Sequence, residues 1–181
     1  MKPYPFFILP TLTVYQLLAY ATIPQPKVPG SFNITALTGE NGHSTLECWQ
    51  LERKFDVSDE PGTKGAAVLP FDGLTGEAKY SVLPPNFDGG LHNAPIAQWV
   101  VFVSGVAHIT LPNRTEEAWI RGGVNGAIIA ADTVDVSERG HFTVYPSNMQ
   151  TVAWQIPFKD GVIPKHRVLH RGACKPDEGW S

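Results

Sequence analysis

The stretch Gly89–Gly105, "GGLHNAPIAQWVVFVSG", decides how this chain is read. Its second half alternates as a strand does, with Gln98, Val100 and Phe102 on one face and Trp99, Val101 and Val103 on the other. Both faces are largely apolar, so the strand is expected to be central, one side turned into a core and the other under a second layer. Gln98 is then an amide on a buried face, where a polar group without a partner costs about 1–3 kcal/mol. Ser104-Gly105 separates this run from "VAHIT", and a two-residue turn with glycine predicts a β-hairpin there.

Strand-like runs continue on both sides. "STLECWQLERKF", "GAAVLPF" and "AKYSVLP" precede the stretch; "VAHITLP", "AWIRG", "GAIIAADTV", "HFTVYP" and "TVAWQIPF" follow it. Nearly every gap holds Gly, Pro, Asn or Asp, the residues that turns require. No window sustains a 3.6-residue period with helix caps, and "RTEEAWIRG" comes nearest. Many short strands with regular turns predict an all-β chain, an antiparallel sandwich or barrel. The 181 residues suit one domain. The expected layout is a targeting signal over 1–21, an extended arm over 22–42, a barrel over 43–160 and a tail over 161–181.

The targeting signal rests on Lys2, the apolar run "FFILPTLTVYQLLAYA" and the A-x-A pattern Ala19-Tyr20-Ala21. Pro10 and Gln16 interrupt that run, which argues against a lasting membrane span, so no membrane partner is expected after cleavage. The expected address is the secretory lumen or the outside of the cell. Asn33-Ile34-Thr35 and Asn113-Arg114-Thr115 are N-glycosylation sequons that accord with it. Cys48 and Cys174 most simply form one disulfide in such a compartment, with two free buried thiols as the alternative. A disulfide would tie the tail back and add roughly 4–5 kcal/mol in the chain-entropy model. Net charge is −3 and lysines and arginines are scattered, which argues against a nucleic-acid partner.

A second regularity emerges from His92-x-Ala94-x-x-x-Gln98 with Gly105 closing the run, followed by "GGVNGAIIAADTVDVSERGH" with Asp132-Thr133 and Gly140-His141. Together these resemble the two motifs of the cupin family, over roughly Gly65–Phe158, and most closely small secreted fungal cupins, some found beside secondary-metabolite genes. Ala94 stands where that family has a second histidine, Gln98 where it has a carboxylate, and Gly123-Val124-Asn125-Gly126 where it has G-P-G-D. The resemblance implies a single jelly-roll barrel with His92, Gln98 and His141 at its mouth. It also brings in a homodimer, since cupins commonly pair through an edge strand. Metal-bearing cupins hold Fe, Mn, Ni or Zn on three histidines and a carboxylate. This chain offers only His92, Gln98 and His141, so the expectation is no cofactor, a divalent metal being the alternative.

The leading functional expectation is an enzyme of the isomerase, cyclase or lyase type, acting on a small apolar metabolite in a non-redox step. His92 or His141 serves as acid or base, Gln98 orients the substrate, and Asp132, if it reaches His141, fixes its tautomer. Val100, Phe102, His108 and Trp154 are the expected pocket lining, with Trp119 a further aromatic for lining or core. His108 faces either the cavity or the surrounding layer, and His43, His166 and His170 are expected in solvent. One alternative is a non-catalytic small-molecule-binding or interaction protein. Another is a metal-dependent oxygenase with a reduced ligand set. No G-x-S-x-G and no phosphate-binding glycine loop is present.

Overall fold

The computed structural model describes residues 30–179, apart from 60–63, 72–73, 75–77 and 114. The expected signal peptide lies outside the described residues, as do residues 22–29 of the expected arm. In chain order the strands are β1 (Asn33–Glu40), β2 (His43–Leu51), β3 (Asp56–Val57), β4 (Ala67–Val68), β5 (Lys79–Leu83), β6 (Phe87–His92) and β7 (Gln98–Ser104). Then follow β8 (Val106–Thr110), β9 (Glu117–Arg121), β10 (Ala127–Ala130), β11 (His141–Tyr145), β12 (Thr151–Pro157) and β13 (His166–Arg171). A single 3-10 turn at Lys159–Gly161 is the only helical piece among the described residues, and no helix there is long and apolar enough to cross a membrane. The chain is all-β, as its turn-punctuated alternation predicts.

Seven strands form one sheet in the order β13-β2-β1-β10-β7-β12-β5, and four form another in the order β6-β11-β8-β9. The strands β3 and β4 make a small separate ribbon. Pairing is antiparallel throughout except between β1 and β10, which run parallel, a correction to the uniformly antiparallel expectation. Between the sheets lies one apolar core, with Leu37, Leu46, Val100, Phe102 and Ile128 from the larger and Ala107, Ile109, Ala118 and Ile120 from the smaller. A second core covers the other face of the larger sheet, where Trp49, Trp99, Ile129 and Phe158 meet. Fully burying each large apolar side chain contributes about 1.5–3 kcal/mol. The two-faced reading of β7 therefore holds, with alternate residues feeding two different cores.

The hairpin does not. β7 pairs with β10 and β12, whereas β8 pairs with β9 and β11. Gly105 is a corner at which the chain leaves one sheet for the other. Its φ of 80° lies in the left-handed region, and a Cβ there would stand 2.1 Å from Thr151 Oγ1. A Ser-Gly step suits either geometry, and only the distant pairing partners distinguish them.

The ends of the domain also differ from expectation. Residues 33–40 of the expected arm are β1, a central strand between β2 and β10. The expected tail supplies β13, which pairs with β2, before Cys174 closes a disulfide with Cys48. Asn33 is only 7% exposed, with its amide donating to the Glu178 carbonyl oxygen and its Oδ1 accepting from Gln50. Its side chain is therefore engaged inside the fold and not displayed on an exposed arm. Asn113 stays on an exposed turn, where its Oδ1 accepts the Thr115 N–H at 3.1 Å.

Gly105→Ala is expected to destabilise the fold by about 2–5 kcal/mol, combining a left-handed residue with an overpacked contact. Urea unfolding measures this, and a loss within experimental error would show that the corner tolerates a side chain.

Candidate functional site

At one end of the space between the sheets, β6 and β11 bring two imidazoles together. His92 and His141 are paired in register across these strands, with ring centroids 4.6 Å apart. Gly140 permits the approach: its φ is 71°, and a Cβ would sit 2.1 Å from the His92 carbonyl oxygen. Each ring has its Nδ1 engaged. His92 Nδ1–H donates to the Gly90 carbonyl oxygen at 3.1 Å, and His141 Nδ1–H donates to Asp132 Oδ2 at 2.7 Å. Nε2 is the nitrogen left to each ring for chemistry.

Asp132 is fully buried and is the anchor of the site. The same Oδ2 accepts from Ser44 Oγ at 2.7 Å, and Ser44 Oγ lies 2.8 Å from Ser137 Oγ, which in turn accepts the Gly140 N–H. Asn93 donates to the carbonyl oxygens of Asp132 and Ser137, fastening the end of β6 to the same loop. Asp132 Oδ1 is buried without a hydrogen-bond partner among the described residues. A carboxylate so placed fixes the His141 tautomer and the orientation of its ring.

The cavity in front of the imidazoles measures about 80 Å³ and is walled by Ala94, Val100, Phe102, Ile109, Ile128 and Ala130. Gln98 also lines it. This residue is 8% exposed, and among the described residues nothing hydrogen-bonds to its amide. Three further polar residues line the cavity without having been anticipated, Thr143, Tyr145 and Gln155. All were accessible by strand parity: Thr143 and Tyr145 share a face with His141, and Gln155 shares one with Ala153. Burial pushes the Tyr145 phenol above its ordinary value, so it stays protonated and remains a donor.

Of the expected pocket residues, Val100 and Phe102 are in place. His108 and Trp154 are not. On β8, Ala107 and Ile109 face the core, which sends His108 outward, where it stacks on Trp119 at 3.9 Å and meets Glu117 at 2.8 Å. On β12, Ala153 faces inward and Trp154 outward, 40% exposed against Tyr80. Trp119 is 54% exposed and likewise outside the core. Of the histidines expected in solvent, His43 is exposed, but His166 stacks on Trp49 at 3.5 Å and His170 pairs with Glu178.

The donors here do not fit the tightly held divalent ion that the cupin resemblance brings to mind. Two imidazoles and a neutral amide supply no anionic ligand, and Ala94 beside them offers no donor. The nearby Asp132 carboxylate already accepts from His141 Nδ1 and Ser44, which sets it behind the ring. Elsewhere among the described residues, Cys48, His170 and Glu178 converge, but Cys48 is held in the disulfide and offers no thiolate. No family model matches the sequence, and a search of curated proteins finds no match to it.

His92 is held below its ordinary value of 6.5, by burial first and then by neighbouring His141, with Gly90 and Asp132 opposing. The unfolded chain takes up this proton before the folded one, so stability declines as the pH falls through 6.5. In urea unfolding on either side of that pH, His92→Gln should lose less stability on acidification than the parent; an equal loss in both would contradict the assignment.

Proposed function

We propose that the protein is a jelly-roll protein of the cupin type that performs histidine acid–base chemistry on a small molecule in a secretory compartment. The carrying observation is the Asp132–His141 pair beside His92, 4.6 Å between ring centroids, at a cavity where the Gln98 amide and the Tyr145 hydroxyl have no hydrogen-bond partner among the described residues. Polar groups that line a cavity without a protein partner are suited to a ligand's polar atoms. The disulfide and the exposed Asn113 sequon support the compartment.

The reaction class that suits this arrangement is a non-redox isomerisation, cyclisation or dehydration through an enol or enolate. His141 Nε2 takes a proton from an acidic C–H beside a carbonyl, and the imidazolium so formed is stabilised by Asp132. The protonated Tyr145 hydroxyl and the Gln98 amide donate to the carbonyl oxygen as charge develops there. His92, its Nε2 unprotonated near physiological pH, accepts the proton relayed from His141 and returns it at the second position, restoring both neutral rings. The electron pair freed from the C–H bond moves into the new double bond and returns to carbon, so no oxidant is consumed. Positioned proton transfer of this kind contributes about 10²–10⁴-fold.

Cavity size restricts the substrate further. A volume of about 80 Å³ holds only a few heavy atoms, so the reacting end enters while any remainder stays outside. The two imidazoles that converge on this cavity favour a catalytic over a non-catalytic reading of it.

Exchange of solvent deuterium into small carbonyl compounds, followed by NMR, tests the proposal. His92→Ala and His141→Ala should each reduce exchange by about 10²–10⁴-fold, and Tyr145→Phe by less, with melting near that of the parent. Full activity in both histidine variants would overturn the mechanism. Elemental analysis of protein purified without chelator separates it from a metal-dependent oxygenase: a stoichiometric ion would favour that alternative.

A further inference from the structure

Gln98 has a neighbour that serves the opposite side of the sheet. Trp99 turns to the outer face of β7, where it meets Phe71 at 4.7 Å and Phe158 at 5.7 Å between ring centroids. A cavity of about 700 Å³ opens beside it, between the segment following β2 and the stretch 159–165. This cavity shares no residue with the one at His92 and His141. Its volume falls within the roughly 300–1,000 Å³ usual for small-molecule sites, whereas the inner cavity is far smaller.

The lining is amphipathic. Leu51, Phe71, Trp99, Val162 and Ile163 supply an apolar floor, and Phe71 remains 43% exposed at the opening. Around them stand three cations, Arg53, Lys159 and Lys165, against two acids, Glu52 and Asp160. Among the described residues neither Lys159 nor Lys165 forms an ion pair. Two ammonium groups without an ion pair beside an apolar floor call for an anion on an apolar body.

We propose that this outer cavity is a second binding site, for an amphipathic organic carboxylate. Its hydrocarbon or aromatic body lies against Phe71 and Ile163, and its carboxylate meets the ammonium groups of Lys159 and Lys165. Lysine suits the task because its stem covers apolar surface while its head stays at the rim. The site does not depend on the acid–base reading of the inner cavity.

Isothermal titration calorimetry of the full chain with decanoate, and with decylamine as the oppositely charged match, tests this. Decanoate should bind at one equivalent, and decylamine should not. Lys159→Glu combined with Lys165→Glu should weaken decanoate by about tenfold or more, the scale of one lost charge-assisted contact. His92→Ala should leave decanoate binding unchanged. Absence of decanoate binding, equal binding of decylamine, or an affinity indifferent to the lysine reversals would overturn the site. Loss of decanoate binding in His92→Ala would overturn it too, by moving the ligand to the inner cavity.

Discussion

The buried carboxylate of Asp132 is the constraint from which the rest of this site follows. It is fully enclosed, and its Oδ2 accepts from both Ser44 and His141. These contacts join the start of β2, the loop after β10 and the start of β11, while Asn93 fastens β6 to the same loop through backbone carbonyls. Ser44, Asn93 and His141, from three different strands or their ends, thus converge on the loop that carries this acid. Removing a buried acid from such a cluster strands its partners, which is costly in a medium of low dielectric. The arrangement sets the ring of His141, and through register the position of His92.

Strand β7 organises the two remaining regions of interest. Its alternation puts Gln98, Val100 and Phe102 between the sheets and Trp99 under the outer layer. Adjacent residues thus border two cavities of different size and chemistry: the inner one small with convergent imidazoles, the outer one roomier with a cationic rim. A strand with one solvated face could not do this. The covering layer from Phe71, Phe158 and Ile163 makes the second cavity.

Much of this was legible in the residues, and the failures have a common physical origin. Alternation identified β7 and its two buried faces, and the pairing of Cys48 with Cys174 was anticipated. The juxtaposition of His92, Gln98 and His141 was likewise anticipated, through the motif resemblance and not through periodicity. What failed was non-local. Ser104-Gly105 reads as a hairpin because local sequence does not say which strands β8 will pair with, and here they are β9 and β11. The segment of β1 is flanked by turn-forming residues, so its eight residues passed for an arm, and the Asn33 sequon for an exposed one. Trp119 and Trp154 were assigned to lining or core on size, although small inward neighbours, Ala118 and Ala153, set their parity outward. Ser44 stands 88 positions from Asp132, and no local pattern announces such a contact.

The claim at the centre is that Asp132 holds His141 as the Nδ1–H tautomer, with Nε2 free toward His92. Long-range proton–nitrogen correlation NMR of the histidine rings measures this directly. The account requires His141 to carry its proton on Nδ1, with a downfield resonance that disappears in Asp132→Ala while His92 remains neutral near physiological pH. A His141 ring protonated on Nε2 alone, or one whose spectrum ignores the loss of Asp132, would contradict it.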